Sequence, residues 1–127
     1  MQPVYAASEL GELMIGHNGN LVNATWLRDE LAEQGVEFAT ASDPAVLARL
    51  IAHAPGRTWP QRVEHAFHRI TGAFKFTMMT ADALIAARDP VGFRPLALGR
   101  FYRMRYEGTT RRRRSRLSAP GCAMRST

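Results

Sequence analysis

The sequence predicts an α+β domain in which helices cover an antiparallel sheet, followed by a basic tail. Three observations carry this. Short apolar, β-branched or aromatic runs alternate with segments of helical periodicity. Their order is strand, helix, strand, two helices, then strands in succession. The periodicity stops near Arg100.

Leu13-Met14-Ile15 is a short apolar run ending at Gly16, a buried strand leading into a loop, His17-Asn18-Gly19-Asn20. Asn23 then caps a helix of about 11 residues, an ordinary length, with Ala24, Leu27 and Leu31 on one face and Gly35 at its end. Val36 to Ala39 is a second short strand. Asp43-Pro44 supplies the N-cap and first-turn proline of the next helix, whose stripe is Val46, Leu47, Leu50, Ile51 and Ala54, and Pro55-Gly56 stops it. A third helix begins near Pro60, turns Val63, Ala66, Phe67 and Ile70 inward and ends before Gly72. Ala73 to Thr80 is a strand, Ala81-Asp82 a turn, and Leu84 to Arg88 the returning strand of a hairpin. Arg94 to Leu98 forms another strand after the turn Asp89-Pro90-Val91-Gly92. Met78 and Met79 are core filler.

A chain of 127 residues with 46% hydrophobic content holds one modest domain with a real core. It has neither an apolar run long enough to span a bilayer nor a charged-then-apolar start, so a cytoplasmic protein without membrane contact is expected. The single cysteine, Cys122, excludes an internal disulfide and any multi-cysteine metal or iron–sulfur site within the chain. Residues 1–100 hold eight Arg, one Lys and ten acids, a net −1; residues 101–127 hold eight Arg and Glu107, a net +7. The basic character therefore belongs to the tail. Its run Arg111-Arg112-Arg113-Arg114-Ser115-Arg116 is expected to be disordered and to touch polyanions non-specifically, with steep salt dependence. A nucleic-acid-binding role is the reading from a different class, weakened because no aromatic residue is interleaved for base stacking.

Three stretches carry a resemblance: Gly16-His17-Asn18-Gly19-Asn20-Leu21-Val22-Asn23, Ala39-Thr40-Ala41-Ser42-Asp43, and Arg88-Asp89-Pro90-Val91-Gly92-Phe93-Arg94-Pro95-Leu96-Ala97-Leu98-Gly99. Gln2-Pro3, Leu27-Arg28, Leu31 and Gly72-Ala73-Phe74 fit as well. In spacing and order, residues 2 to 100 resemble the glutaminase domain of the glutamine phosphoribosylpyrophosphate amidotransferases. The related glucosamine-phosphate and asparagine synthetases share an Asn-Gly pair and a later Ser/Thr-Asp. The His17–Asn20 tetrad and the Arg88–Gly99 segment favour the phosphoribosyl family.

The resemblance implies a partial N-terminal-nucleophile hydrolase fold, a four-layer α/β/β/α sandwich, over residues 1–100, with residues 101–127 outside the family pattern. In that family an N-terminal cysteine attacks the glutamine side-chain amide, and the released ammonia displaces pyrophosphate from phosphoribosyl pyrophosphate, the first step of purine synthesis. The Asn18 side-chain amide and the Gly19 N–H correspond to the oxyanion donors, and Asp43 to the group that binds the α-amine of glutamine. His17 is a structural, hydrogen-bonding histidine, and His53, His65 and His68 are surface or core-edge residues. Arg88, Asp89 and Arg94 tie a turn together.

The resemblance implies no cofactor in this stretch; Mg belongs to the transferase domain and an iron–sulfur cluster to some members. The nucleophile and the carboxylate-clamping arginine are expected upstream of what this chain holds, and Cys122 has no adjacent amine base. Glutamine binding is therefore expected to be weak or lost and the chain inactive by itself, with self-association or aggregation through a half-built sheet. The abrupt rise in Arg, Ser, Pro and Gly after Arg100 is what a frameshifted reading of a GC-rich gene would yield.

Overall fold

A computed structural model of the chain describes residues 1–99. Among them the elements run β1 (Val4–Ser8), β2 (Gly11–Leu21), α1 (Ala24–Glu33), α2 (Asp43–His53), α3 (Trp59–Phe67), β3 (Gly72–Met79) and β4 (Leu84–Arg88). The strands form one antiparallel sheet in sequence order, β1-β2-β3-β4. The tail run Arg111–Arg116, Cys122 and the boundary after residue 100 lie outside the described residues.

Side chains alternate across the sheet, so one face gathers the apolar set. Ala6, Leu13, Ile15, Phe74, Phe76, Met78 and Ala87 are buried on that face beneath α2, which lies over β1 and β2 with α1 and α3 beside it. Helix α2 is buried on nearly every side, with Pro44 to Ala48 and Leu50 to Ala52 all inside. Such all-round apolarity marks a helix enclosed by its neighbours. Sheet and helices thus make one β layer and one α layer of the expected sandwich.

Several expectations are corrected. The His17–Asn20 stretch is not a loop: β2 continues through it to Leu21, because β3 pairs with it from Met14↔Met79 to Leu21↔Gly72. Strand β1 had no place in the sequence reading; its only buried side chain is the small Ala6, too weak an alternation signal. Val36 to Ala39 forms no strand, since no neighbour pairs with it. Val36 instead donates its N–H to Leu31 O (3.0 Å) and plugs the end of α1. Arg94 to Leu98 likewise forms no strand among the described residues, and Pro95 has no N–H to give to a ladder. Met78 is core, but Met79 points to the other face and is 59% exposed.

Two caps also differ. Asn23 sits at the N-cap of α1 without a side-chain cap bond: its amide donates to Arg69 O (2.8 Å) and accepts from Thr71 N–H (2.9 Å), tying α1 to the entrance of β3. Asp43 is the first helical residue of α2, with Ser42 at the N-cap, and its carboxylate reaches away from the helix.

Candidate functional site

The site grows out of a mismatch in strand length. Strand β1 begins at Val4, opposite Ile15, so β2 from Gly16 to Leu21 pairs with β3 on one side and has no strand on the other. Residues 17, 19 and 21 present their backbone N–H groups to that open edge. His17 donates to the Gln2 Oε1 (2.6 Å), and Leu21 donates to Asp43 Oδ2 (2.8 Å). Gly19 lies between them. Its opposite number, Phe74, has both backbone groups committed to Asp89: Phe74 donates to Asp89 Oδ2 (3.3 Å), and Asp89 N–H donates to Phe74 O (2.9 Å). The Gly19 N–H therefore faces the open edge.

Glycine is required there. Gly19 has φ +132°, and an added Cβ would stand 2.1 Å from Ala73 O and 2.8 Å from Phe74 Cα. Gly72, opposite Leu21 on β3, has φ +139°, and a Cβ would stand 2.1 Å from Asn20 O. The two backbones approach too closely for any side chain. Asn18 projects from the outer face of the sheet, exposed, beside an open depression floored by Gly16 and Thr77 and bounded by Gln2, Lys75 and Leu96.

The structure thus brings the three expected residues to one place: Asn18 and Gly19 within β2, and the Asp43 carboxylate at Leu21, two residues along its edge. Two residues along a strand span about 7 Å. Leu21 occupies Asp43 Oδ2, which leaves Oδ1 for a ligand.

His17 departs from expectation. Its side chain lies on the buried face opposite Phe76, 8% exposed, and its Nε2 has no hydrogen-bond partner. Burial lowers its pKa below the ordinary histidine value, and the Asp43 charge only partly offsets this. The folded state then binds fewer protons than the unfolded one. Stability is fully present above pH ~6.5 and is lost as pH falls below it. His17→Phe is expected to stabilise the fold by about 1 kcal/mol at neutral pH, by removing a buried unpaired polar atom. The gain should widen in acid. Urea unfolding of both proteins at pH about 7.5 and about 5.5 tests this, and a variant less stable than the parent at both would refute it.

Asp89 was missed as a site-building residue, although its place in the Arg88–Gly99 segment was visible. It is 3% exposed, and Oδ1 accepts from Gly92 (2.8 Å) and Phe93 (3.3 Å). Burial opposes its ionisation, but the backbone N–H groups of Phe93, Gly92, Phe74 and Val91 outweigh that and hold its carboxyl below the usual range. The Arg88 guanidinium packs against Gly92 in the same turn, whereas Arg94 is exposed. His53, His65 and His68 are exposed, as expected. Among the described residues no three His, Cys, Asp or Glu side chains cluster to hold a metal ion, and no helix is long and apolar enough to cross a membrane.

Comparison with known proteins shows the family. The glutamine amidotransferase domain family matches residues 1–106. Amidophosphoribosyltransferase 2 of Arabidopsis thaliana, a chloroplastic protein, is 44% identical over 100 residues, covering 79% of this chain and 18% of its own length. The Bacillus subtilis amidophosphoribosyltransferase is 41% identical over 100 residues, covering 78% of this chain and 21% of its own. A solved glutamine phosphoribosylpyrophosphate amidotransferase from B. subtilis, complexed with ADP and GMP, superposes with a TM-score of 0.69 at 42% identity, over 74% of this chain and 21% of that one. The chain spans about a fifth of the length of these relatives. The chain therefore belongs to the glutamine amidotransferase domain family, on the side of the amidophosphoribosyltransferases.

Proposed function

We propose that residues 1–99 form the oxyanion side of a site that hydrolyses the side-chain amide of glutamine, for transfer of its ammonia to phosphoribosyl pyrophosphate by a domain beyond this stretch. Attack on the amide carbon moves charge onto its oxygen, and fixed donors at that point lower the barrier. Gly19 offers a backbone N–H with no competing strand, and the Asn18 amide lies beside it. Asp43 Oδ1 holds the α-ammonium, fixing the chain at its far end. The observation that carries this reading is the open edge of β2, with the Gly19 N–H and the Asp43 carboxylate facing the same strip.

Residues 1–99 contain no cysteine, so this stretch supplies binding and charge stabilisation and not the attacking thiolate. The test is a glutamine titration of the 127-residue chain followed by amide NMR. Glutamine should shift the Gly19 and Leu21 signals, and Asp43→Asn should weaken binding by roughly tenfold to a hundredfold, the worth of a charge-assisted bond. Glutamate release by the chain alone should not exceed a buffer blank. Binding that leaves Gly19 and Leu21 unmoved, or that ignores Asp43→Asn, would refute the reading.

A further inference from the structure

From Gly16 to Leu21, strand β2 has β3 along one side only, and the stretch includes Gly16 and Gly19, the residue type with the most backbone freedom to lose. A donor carried on such a stretch is aimed only if the open side is tied as well. Two side chains tie it. Asp43 Oδ2 accepts the Leu21 N–H (2.8 Å) and Gln2 Oε1 accepts the His17 N–H (2.6 Å), each bond two residues from Gly19. Asp43 already has a part in the glutamine reading of this strip. Gln2 has none.

The place of Gln2 follows from β1. The register Val4↔Ile15, carried two residues further, sets Gln2 opposite His17. A backbone carbonyl making this bond would carry the preceding chain along the edge and over Gly19. The carboxamide oxygen makes the same bond from the end of a side chain, and the strip beyond it stays open. That oxygen would stand 3.9 Å from a Cβ at Gly16, so it sits against the first residue of the one-sided stretch.

We propose, on the reading of this strip as a glutamine site, that Gln2 is a positioning residue for both oxyanion donors: its bond to the His17 N–H fixes the chain that carries the Asn18 amide and the Gly19 N–H. It acts through the His17 peptide group. The role needs an acceptor at the end of a side chain of this length, which glutamate also supplies and alanine does not.

Backbone relaxation and hydrogen-exchange NMR of the full 127-residue chain, without glutamine, give the first readout. In the parent, Gly19 should be as ordered as Ile15 and Phe76, with an order parameter of about 0.85. Gln2→Ala should speed exchange at His17 and lower Gly19 towards about 0.6, leaving Ile15, Phe76 and the circular dichroism unchanged. Gln2→Glu should match the parent. Glutamine titration of the three proteins gives the second readout: binding about tenfold weaker in Gln2→Ala, the worth of one hydrogen bond, with most of the loss regained in Gln2→Glu. A Gly19 as ordered in Gln2→Ala as in the parent overturns the proposal, as does a Gln2→Glu protein no better than Gln2→Ala. A parent that binds no glutamine, while Gly19 still loosens in Gln2→Ala, would refute the glutamine site and spare the tie.

Discussion

Gly19→Ala is expected to destabilise the fold by about 3 kcal/mol or more, and Gly72→Ala by a similar amount. Each glycine holds a φ that L side chains seldom adopt, +132° and +139°. Space is the harder constraint. The new Cβ would meet Ala73 O or Asn20 O at 2.1 Å, and these are ladder backbone atoms that cannot swing aside as a side-chain tip can. Relief requires β2 and β3 to part, and these two strands carry Ile15, Phe74, Phe76 and Met78 of the core. Gly16→Ala is the internal control: its nearest neighbours would be Thr77 Oγ1 at 3.6 Å and Gln2 Oε1 at 3.9 Å, ordinary contacts. It should change stability by no more than about 0.5 kcal/mol. Denaturant unfolding of the three variants decides the matter; a Gly19→Ala protein as stable as Gly16→Ala would show that the close approach is not rigid.

The same glycines explain where sequence reading fell short. A run containing Gly16 and Gly19 looks like a chain break, because glycine is usually punctuation and Asn-Gly usually a tight turn. Here both glycines lie within an 11-residue strand, kept flat by a partner that supplies pairing through Leu21. That partner, β3, lies more than fifty residues on, so nothing local announces it. The strands legible from pattern alone were Gly72–Met79 and Leu84–Arg88, joined by a short turn and rich in aromatic and β-branched residues. The helices were legible because their stripes are local, and α1, α2 and α3 fall where periodicity places them.

For the site, motif order put forward Asn18, Gly19 and Asp43, and the geometry changed their local settings. Asp43 was expected to cap its own helix. Its carboxylate instead bridges to Leu21 across 22 residues of sequence, so the first residue of α2 holds the edge of β2. His17 was expected to be hydrogen-bonded. Its position in the odd-numbered set of β2, with Leu13, Ile15 and Leu21, sends it into the apolar layer, where Nε2 finds no partner. Strand parity decides that outcome, and parity was lost once the segment was assigned to a loop.

Arg62 had no place in the sequence reading, yet replacing it with leucine should cost about 3 kcal/mol, among the largest losses of any single change. Its side chain is 5% exposed. Nε donates to Gly56 O (3.0 Å), one terminal nitrogen donates to Ala52 O near the end of α2, and the other meets Glu9 beside the β1–β2 turn. The guanidinium carbon also stands 6.0 Å from the Trp59 ring centroid. One guanidinium thus fastens α3 to the end of α2 and to the sheet. The bond to Ala52 O is buried and that to Gly56 O partly so, so leucine leaves the first carbonyl without a donor and without water and the second without its donor. Glu9 is different. Its side chain is 76% exposed, and although the Arg62 hydrogen bond lowers its pKa, solvent can take over when the pair is broken. Glu9→Gln should therefore cost much less than Arg62→Leu in denaturant unfolding at neutral pH. That inequality separates carbonyl capping from ion pairing as the source of the effect. Equal losses from the two variants would assign the stabilisation to the ion pair and overturn the capping account.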